Sequence, residues 1–175
     1  MYKVLIVVDM QNDFITGSLG TPEAEKIVCG VAERIKNSLN EMVIFTQDTH
    51  NENYLDTPEG KKLPVMHCIE ETHGWQIEES IVSVIPPNAI HIFFKKPIFG
   101  SVEMAEFLKE RRAEIESIEI LGLCTDICVV SNAIILKNYL PEIPIAVNAA
   151  LCAGVTPQSH QEAVNTMMMC HIDII

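Results

Sequence analysis

The run Ser117-Ile-Glu-Ile-Leu-Gly122-Leu-Cys124-Thr-Asp-Ile-Cys128-Val-Val decides how this chain folds. Its apolar part, Ser117 to Leu121, stops at a glycine and reads as a buried strand leaving a sheet. Thr125 and Asp126 are both good N-cap residues, so the spacing predicts a helix over Ile127 to Leu136. Cys128 then falls in the first turn of a helix, at the carboxyl end of a strand. Free backbone N–H groups and the positive end of the helix dipole stabilise a thiolate there, and an oxyanion formed beside it. The competing reading is a buried structural cysteine, because free Cys is among the most buried residue types.

Working outward, strand-like and helix-like segments alternate. Val4–Val8 is a continuous apolar run, read as a strand buried on both faces. Pro22 to Leu39 has helical spacing in Ile27, Val31, Ile35 and Leu39, with proline at its start. Met42–Thr46 is the second strand. The polar stretch Gln47 to Gly74 follows, a length that is either functional or disordered. Trp75 to Val84 reads as a short helix, Ala89–Phe94 as the third strand and Ser101 to Arg112 as a helix capped by Ser101. Ile143–Val147 is the fifth strand, Pro157 to Met169 the last helix, and Ile172–Ile175 an edge strand. The alternation predicts one domain spanning residues 1–175: a three-layer α/β/α sandwich with a mostly parallel six-stranded sheet.

Bulk properties narrow the function. The chain has 175 residues, 12 Lys+Arg against 24 Asp+Glu, and hence a net charge of −12. An acidic balance argues against nucleic acid or an anionic membrane as partner. No apolar run approaches the length of a membrane span or a signal-peptide core, so a cytoplasmic protein is expected. The six cysteines are spread through strands and helices and read as thiols in a reducing compartment. Met167–Met169 are core filler or part of an oligomer interface, and a homo-oligomer is expected.

In parallel α/β sheets, sites form at the carboxyl ends of the strands. Asp9 ends the first strand, Asp48 and His50 the second, Lys95 and Lys96 the third, and Cys128 follows the fourth. Asp9 reads as a general base near the thiol, or as a carboxylate capping a turn. One of Lys95 and Lys96 points inward, because strand side chains alternate; the residues alone do not say which. A lysine beside the cysteine would favour its thiolate. Asp48-Thr-His50, with Glu59 and His67, offers mixed oxygen and imidazole donors that suit Zn, Mn or Fe, or simply forms a hydrogen-bonded polar loop.

Five segments taken together resemble the isochorismatase-like cysteine hydrolases, in the nicotinamidase/pyrazinamidase branch. They are Val-Val-Asp9-Met-Gln-Asn-Asp-Phe14, Thr46-Gln-Asp48-Thr-His50, Pro64-Val-Met-His67-Cys, Lys96-Pro-Ile-Phe99-Gly-Ser and Gly122-Leu-Cys-Thr-Asp-Ile-Cys128-Val. The resemblance implies a catalytic triad of Asp9, Lys96 and Cys128. It prefers Lys96 to Lys95 because an aromatic, Phe99, stands three residues later. It implies an oxyanion hole from the backbone N–H groups of Cys124 and Cys128, with a non-proline cis peptide between Leu123 and Cys124. It places Phe14 and Phe99 against the substrate. It implies one divalent metal, Zn, Mn or Fe, on Asp48, His50 and His67 with Glu59 as a further ligand, and no organic cofactor. The activity implied is hydrolysis of a small carboxamide to acid and ammonia through a thioester. Hydrolysis of isochorismate or a ureido compound, or a non-catalytic ligand-binding relative, are the alternatives. Pro64 stands where many relatives carry an aromatic residue that stacks on the substrate ring, which bears on the substrate more than on the chemistry.

Overall fold

The computed structural model describes residues 1–175. Six strands, β1 (Tyr2–Val8), β2 (Met42–Asp48), β3 (Ile90–Lys96), β4 (Ile115–Leu123), β5 (Ile145–Ala153) and β6 (Asp173–Ile174), form one sheet in the order β3-β2-β1-β4-β5-β6. Every pairing is parallel. The helices are α1 (Asn12–Ile15), α2 (Pro22–Lys36), α3 (Glu79–Val82), α4 (Val102–Glu110), α5 (Val130–Tyr139) and α6 (Pro157–Met169). α2 packs with α1 and α3, while α5 packs with α4 and α6. Strand order runs outward in both directions from the β1/β4 pair. Right-handed crossovers on the two sides of that pair put the helices on opposite faces. This is the α/β sandwich expected from the sequence, with a sheet that is parallel throughout.

The reason lies in the runs themselves. Val4 to Val8 and Met42 to Phe45 are each almost wholly buried, as strands covered on both faces require. α2 buries Ala24, Ile27, Val31 and Ile35 on one stripe, with Thr21 accepting from the Ala24 N–H as cap. α4 starts on Ser101, whose hydroxyl accepts from the Met104 N–H.

Several boundaries differ from the sequence reading. α2 stops at Lys36 and leaves Leu39 exposed. Of Trp75 to Val84 only Glu79–Val82 is helical. β5 begins at Ile145 and runs on to Ala153. The largest difference is at Thr125–Val129, which forms one wide π turn before α5. Neither Thr125 nor Asp126 caps a helix. The Thr125 hydroxyl bonds to the His160 ring and the Asp126 carboxylate accepts from the Val155 N–H. Tertiary partners from the α6 region outcompete the local cap.

The reversal point of the sheet lies between β1 and β4, and both strands end tightly. Asp9 turns out of β1 in the left-handed region at φ 46°, which aspartate tolerates better than most residues. Gly122 passes so close to β1 that a Cβ there would sit 2.2 Å from the Val8 carbonyl oxygen, and its φ is 117°. Only glycine meets both conditions. A crevice at such a reversal point is where this architecture places ligands.

Candidate active site

Asp9, Lys96 and Cys128 come together at this reversal point, from β1, β3 and the π turn after β4. All three are buried. Lys96 Nζ lies 2.7 Å from Asp9 Oδ2 and 3.4 Å from Cys128 Sγ. The alternation of β3 separates the two lysines: Lys95 is exposed and pairs with Glu70 over the Trp75 ring, while Lys96 points inward. Thr46 donates its hydroxyl to Asp9 Oδ1 at 2.7 Å. The Lys96 ammonium is the charged partner of the other carboxylate oxygen, Oδ2.

The electrostatics follow from burial. Burial pushes the Cys128 thiol up, and the Asp9 carboxylate adds to this against the pull of Lys96. The proton therefore rests on sulphur, and Lys96 does not by itself produce a resting thiolate. Burial also raises Asp9, with Lys96 opposing and Asp48 reinforcing, which makes its carboxylate a stronger base than an exposed one. Burial would lower Lys96, but the charges of Asp9 and Asp48 outweigh it, and the ammonium keeps its proton. A buried carboxylate with a raised pKa beside a neutral thiol and a fixed cation is suited to accept a proton as the sulphur attacks.

The Leu123–Cys124 peptide is cis, as the resemblance implies. The Cys124 carbonyl accepts from the N–H groups of Ile127 and Val129, which closes the turn carrying Cys128.

Asp48, His50 and His67 form a second buried group, and one donor atom from each lies within 4.8 Å of the others. Asp48 Oδ2 is 3.0 Å from His50 Nε2 and 3.5 Å from His67 Nε2. His67 Nδ1 is 2.8 Å from the Val65 carbonyl oxygen. A carbonyl only accepts, so that nitrogen carries a proton, and in the neutral ring Nε2 presents its lone pair to the carboxylate. Two acceptors facing each other in a buried site need a proton or a cation between them. One carboxylate and two imidazoles suit a divalent metal, and the bond from Nδ1 to the Val65 carbonyl is the usual support of a metal-bound histidine. Burial would raise Asp48, but hydrogen bonds with His50 and His67 and the Lys96 charge hold it below the usual carboxylate range. Burial would lower His67, yet Asp48 moves it upward on balance. Glu59 Oε1 lies 3.9 Å from His50 Nε2, at the margin of the group and outside its three-atom core.

The long stretch after β2 is ordered. His50 pairs with Ile69 as in a parallel ladder, and the Tyr54 hydroxyl donates to the Leu63 carbonyl. The Tyr54 ring packs against both His50 and His67.

A cavity of about 230 Å³ opens onto both groups. Cys128 and Cys124 line it, with His67 and the carboxylates of Asp48 and Glu59; Phe14 and Phe99 are aromatic walls, as the resemblance implies. Leu19, Leu63, Ile127 and Val155 complete the apolar lining, and no lysine or arginine is among the lining residues. Leu63, not Pro64, supplies the wall beside His67. Sequence reading missed Leu19, Leu63 and Val155, which carry no chemical signal, and Thr46, whose place opposite Val8 at the end of β2 was the available clue. A larger open groove beside Trp75 and Phe93 lies away from all these groups.

A family model described as the isochorismatase domain matches residues 3–175. The chain is 25% identical to the nicotinamidase of Saccharomyces cerevisiae over 75% of this chain and 80% of that protein. It is 24% identical to the nicotinamidase/pyrazinamidase of Mycobacterium tuberculosis over 99% and 98%. The crystal structure of the Pyrococcus horikoshii pyrazinamidase in complex with zinc is similar at a TM-score of 0.81 and 26% identity, covering 100% of this chain and 99% of that one.

Proposed function

Because the chain belongs to the isochorismatase family, we propose that residues 1–175 form a single hydrolase domain that splits a small, uncharged carboxamide into acid and ammonia. The observation that carries this reading is the buried Lys96 ammonium, 2.7 Å from Asp9 and 3.4 Å from Cys128, beneath a cavity into which the thiol opens.

In the proposed sequence Asp9 Oδ2 accepts the thiol proton as Cys128 Sγ attacks the amide carbon. The oxyanion is held by the N–H groups of Cys124 and Cys128. The C–N bond breaks, and nitrogen leaves as ammonia with the proton from Asp9. Water then attacks the thioester while Asp9 takes its proton, and Cys128 departs and is reprotonated. Lys96 stays charged throughout and offsets the negative charge passing between Asp9 and sulphur.

Asp48, His50 and His67, with Glu59 beside them, would hold a divalent metal whose Lewis acidity orients a polar atom of the substrate. Phe14 and Phe99 would clamp the rest of it. The lining supports an uncharged substrate: it holds no lysine or arginine, and Lys96 is already paired with two carboxylates. A carboxylate substrate such as isochorismate or a ureido acid would meet no lysine or arginine in the lining.

The test is a screen of small uncharged amides, ureido acids and isochorismate, following ammonia or product release. Turnover of uncharged amides is expected. Conversion of the anionic compounds alone would overturn the substrate class. Stoichiometric labelling of Cys128 without turnover of any compound would favour a silent binding site.

A further inference from the structure

We propose that Gln11 and Asp13, which touch neither thiol nor substrate, are positioning residues that assemble the candidate metal group from its two sides. The proposal rests on reading Asp48, His50 and His67 as metal ligands.

Gln11 is wholly buried. Its Nε2 donates to the Asp48 carbonyl at 2.9 Å and to the Trp75 carbonyl at 2.8 Å, and its Oε1 accepts from the Asp48 N–H at 2.7 Å. β1 pairs with β2 only as far as Val8 opposite Thr46, because the left-handed turn at Asp9 carries the chain away. The Gln11 amide then takes the place of the missing strand and grips both backbone groups of Asp48. An amide is the one side chain that can donate and accept in this way; a carboxylate of the same shape would face two carbonyl oxygens.

Asp13 works on the histidines. Its Oδ2 accepts from the Cys68 N–H at 2.8 Å. Cys68 follows His67 directly, sits in the left-handed region at φ 47°, and offers its carbonyl to the His50 N–H at 3.0 Å. One residue therefore stands between both histidines, and Asp13 holds it in a left-handed conformation that non-glycine residues rarely adopt. The enclosure around Asp13 fits closely: a Cβ at Gly74 would lie 2.1 Å from Asp13 Oδ2, and one at Gly17 would lie 2.5 Å from Oδ1. The turn after Asp9 thus joins strand β2 to the His67 loop, and the donor triangle closes across it.

The experiment measures zinc affinity of the purified full chain by competition with a chromophoric chelator, alongside thermal melting and the rate of Cys128 alkylation. Gln11→Glu and Asp13→Ala are each expected to weaken zinc binding at least about tenfold, the usual scale for residues supporting metal ligands. Asp13→Asn keeps one acceptor for Cys68 and should recover most of the loss. Gln11→Glu and Asp13→Asn are near-isosteric, so they keep the test usable where alanine prevents folding. A purely structural role would lower the melting temperature and leave the zinc affinity of the folded chain alone. Affinity within twofold of the parent in folded Gln11→Glu and Asp13→Ala overturns the proposal. Failure of the parent itself to bind zinc would instead withdraw the metal reading beneath it.

Discussion

Lys96 Nζ stands 3.5 Å from Asp48 Oδ1, so one buried cation touches both the thiol group and the candidate metal group. The two are not separate stations on different strands. Asp48 gives one carboxylate oxygen to the histidines and turns the other toward the lysine that faces the sulphur.

Replacing Lys96 should therefore damage both function and fold. Lys96→Met leaves the carboxylates of Asp9 and Asp48 buried without their cation, a loss on the order of 3–5 kcal/mol. It should also lower turnover at least about a hundredfold, as should Asp9→Asn, which removes the base. Lys95→Met should be nearly silent, because Lys95 is exposed. Steady-state ammonia release and denaturant melts of the three variants decide this. Equal losses at Lys95 and Lys96 would refute the assignment.

Cys128→Ala should abolish turnover while the protein stays folded. Cys124→Ala should keep most of it, since the proposal uses only its backbone N–H. Near-normal ammonia release by Cys128→Ala would end the nucleophile assignment.

Thiol reactivity should depend on pH in a defined direction. Burial, helped by Asp126, pushes the Cys124 thiol up to about 12, and burial pushes Cys152 up to about 12 against the Gly122 N–H. A raised thiol pKa means more protonated, unreactive thiol at a given pH. At pH 8 only about one in ten thousand of these groups is thiolate, rising about tenfold per pH unit. Exposed Cys29 and Cys170 should thus be alkylated first. Peptide mass mapping after timed iodoacetamide treatment measures this. Alkylation of Cys124 or Cys152 at pH 8 as fast as Cys170 would contradict it.

Chelation should lower activity, and added divalent metal should restore it. His50→Ala should lose the metal, and elemental analysis of protein purified without chelator is the direct check. A parent protein that neither contains nor takes up metal, and whose turnover ignores chelators, would leave Asp48 and the histidines as structural or substrate-contacting groups.

Arg34 provides a control far from the site. Its guanidinium lies 2.7 Å from Glu119 and 2.9 Å from Glu41, and all three are partly buried. Arg34→Met should cost about 1–3 kcal/mol by stranding two carboxylates, with turnover of the folded enzyme unchanged. A fall in turnover without a fall in stability would argue against this division.

The strands were legible because a parallel sheet covered on both faces needs apolar runs, and Val4–Val8 and Met42–Phe45 are such runs. The strand-end residues were legible because this topology gathers them at one edge. The choice of Lys96 over Lys95 needed the family resemblance; the observed alternation of β3 agrees with it. What stayed hidden depended on distant partners. Thr125 and Asp126 looked like caps and instead serve His160 and Val155. Gln11 looked like one polar residue among several, and its role depends on meeting Asp48 across 37 positions of chain. The resting state of the thiol was also hidden, because burial outweighs the nearby lysine only once the depth of the site is known.

The walls of the cavity come from separate connections: Phe14 on α1 and Leu19 after β1, Leu63 after β2, Phe99 after β3 and Val155 after β5. The reacting groups hang instead from strand ends and one short turn. Such a division makes the molecule evolvable. The stretches after β3 and β5 carry none of the candidate ligands or positioning residues, so either can be exchanged, by drift or in a directed library, to admit a new substrate while the machinery beneath is inherited unaltered.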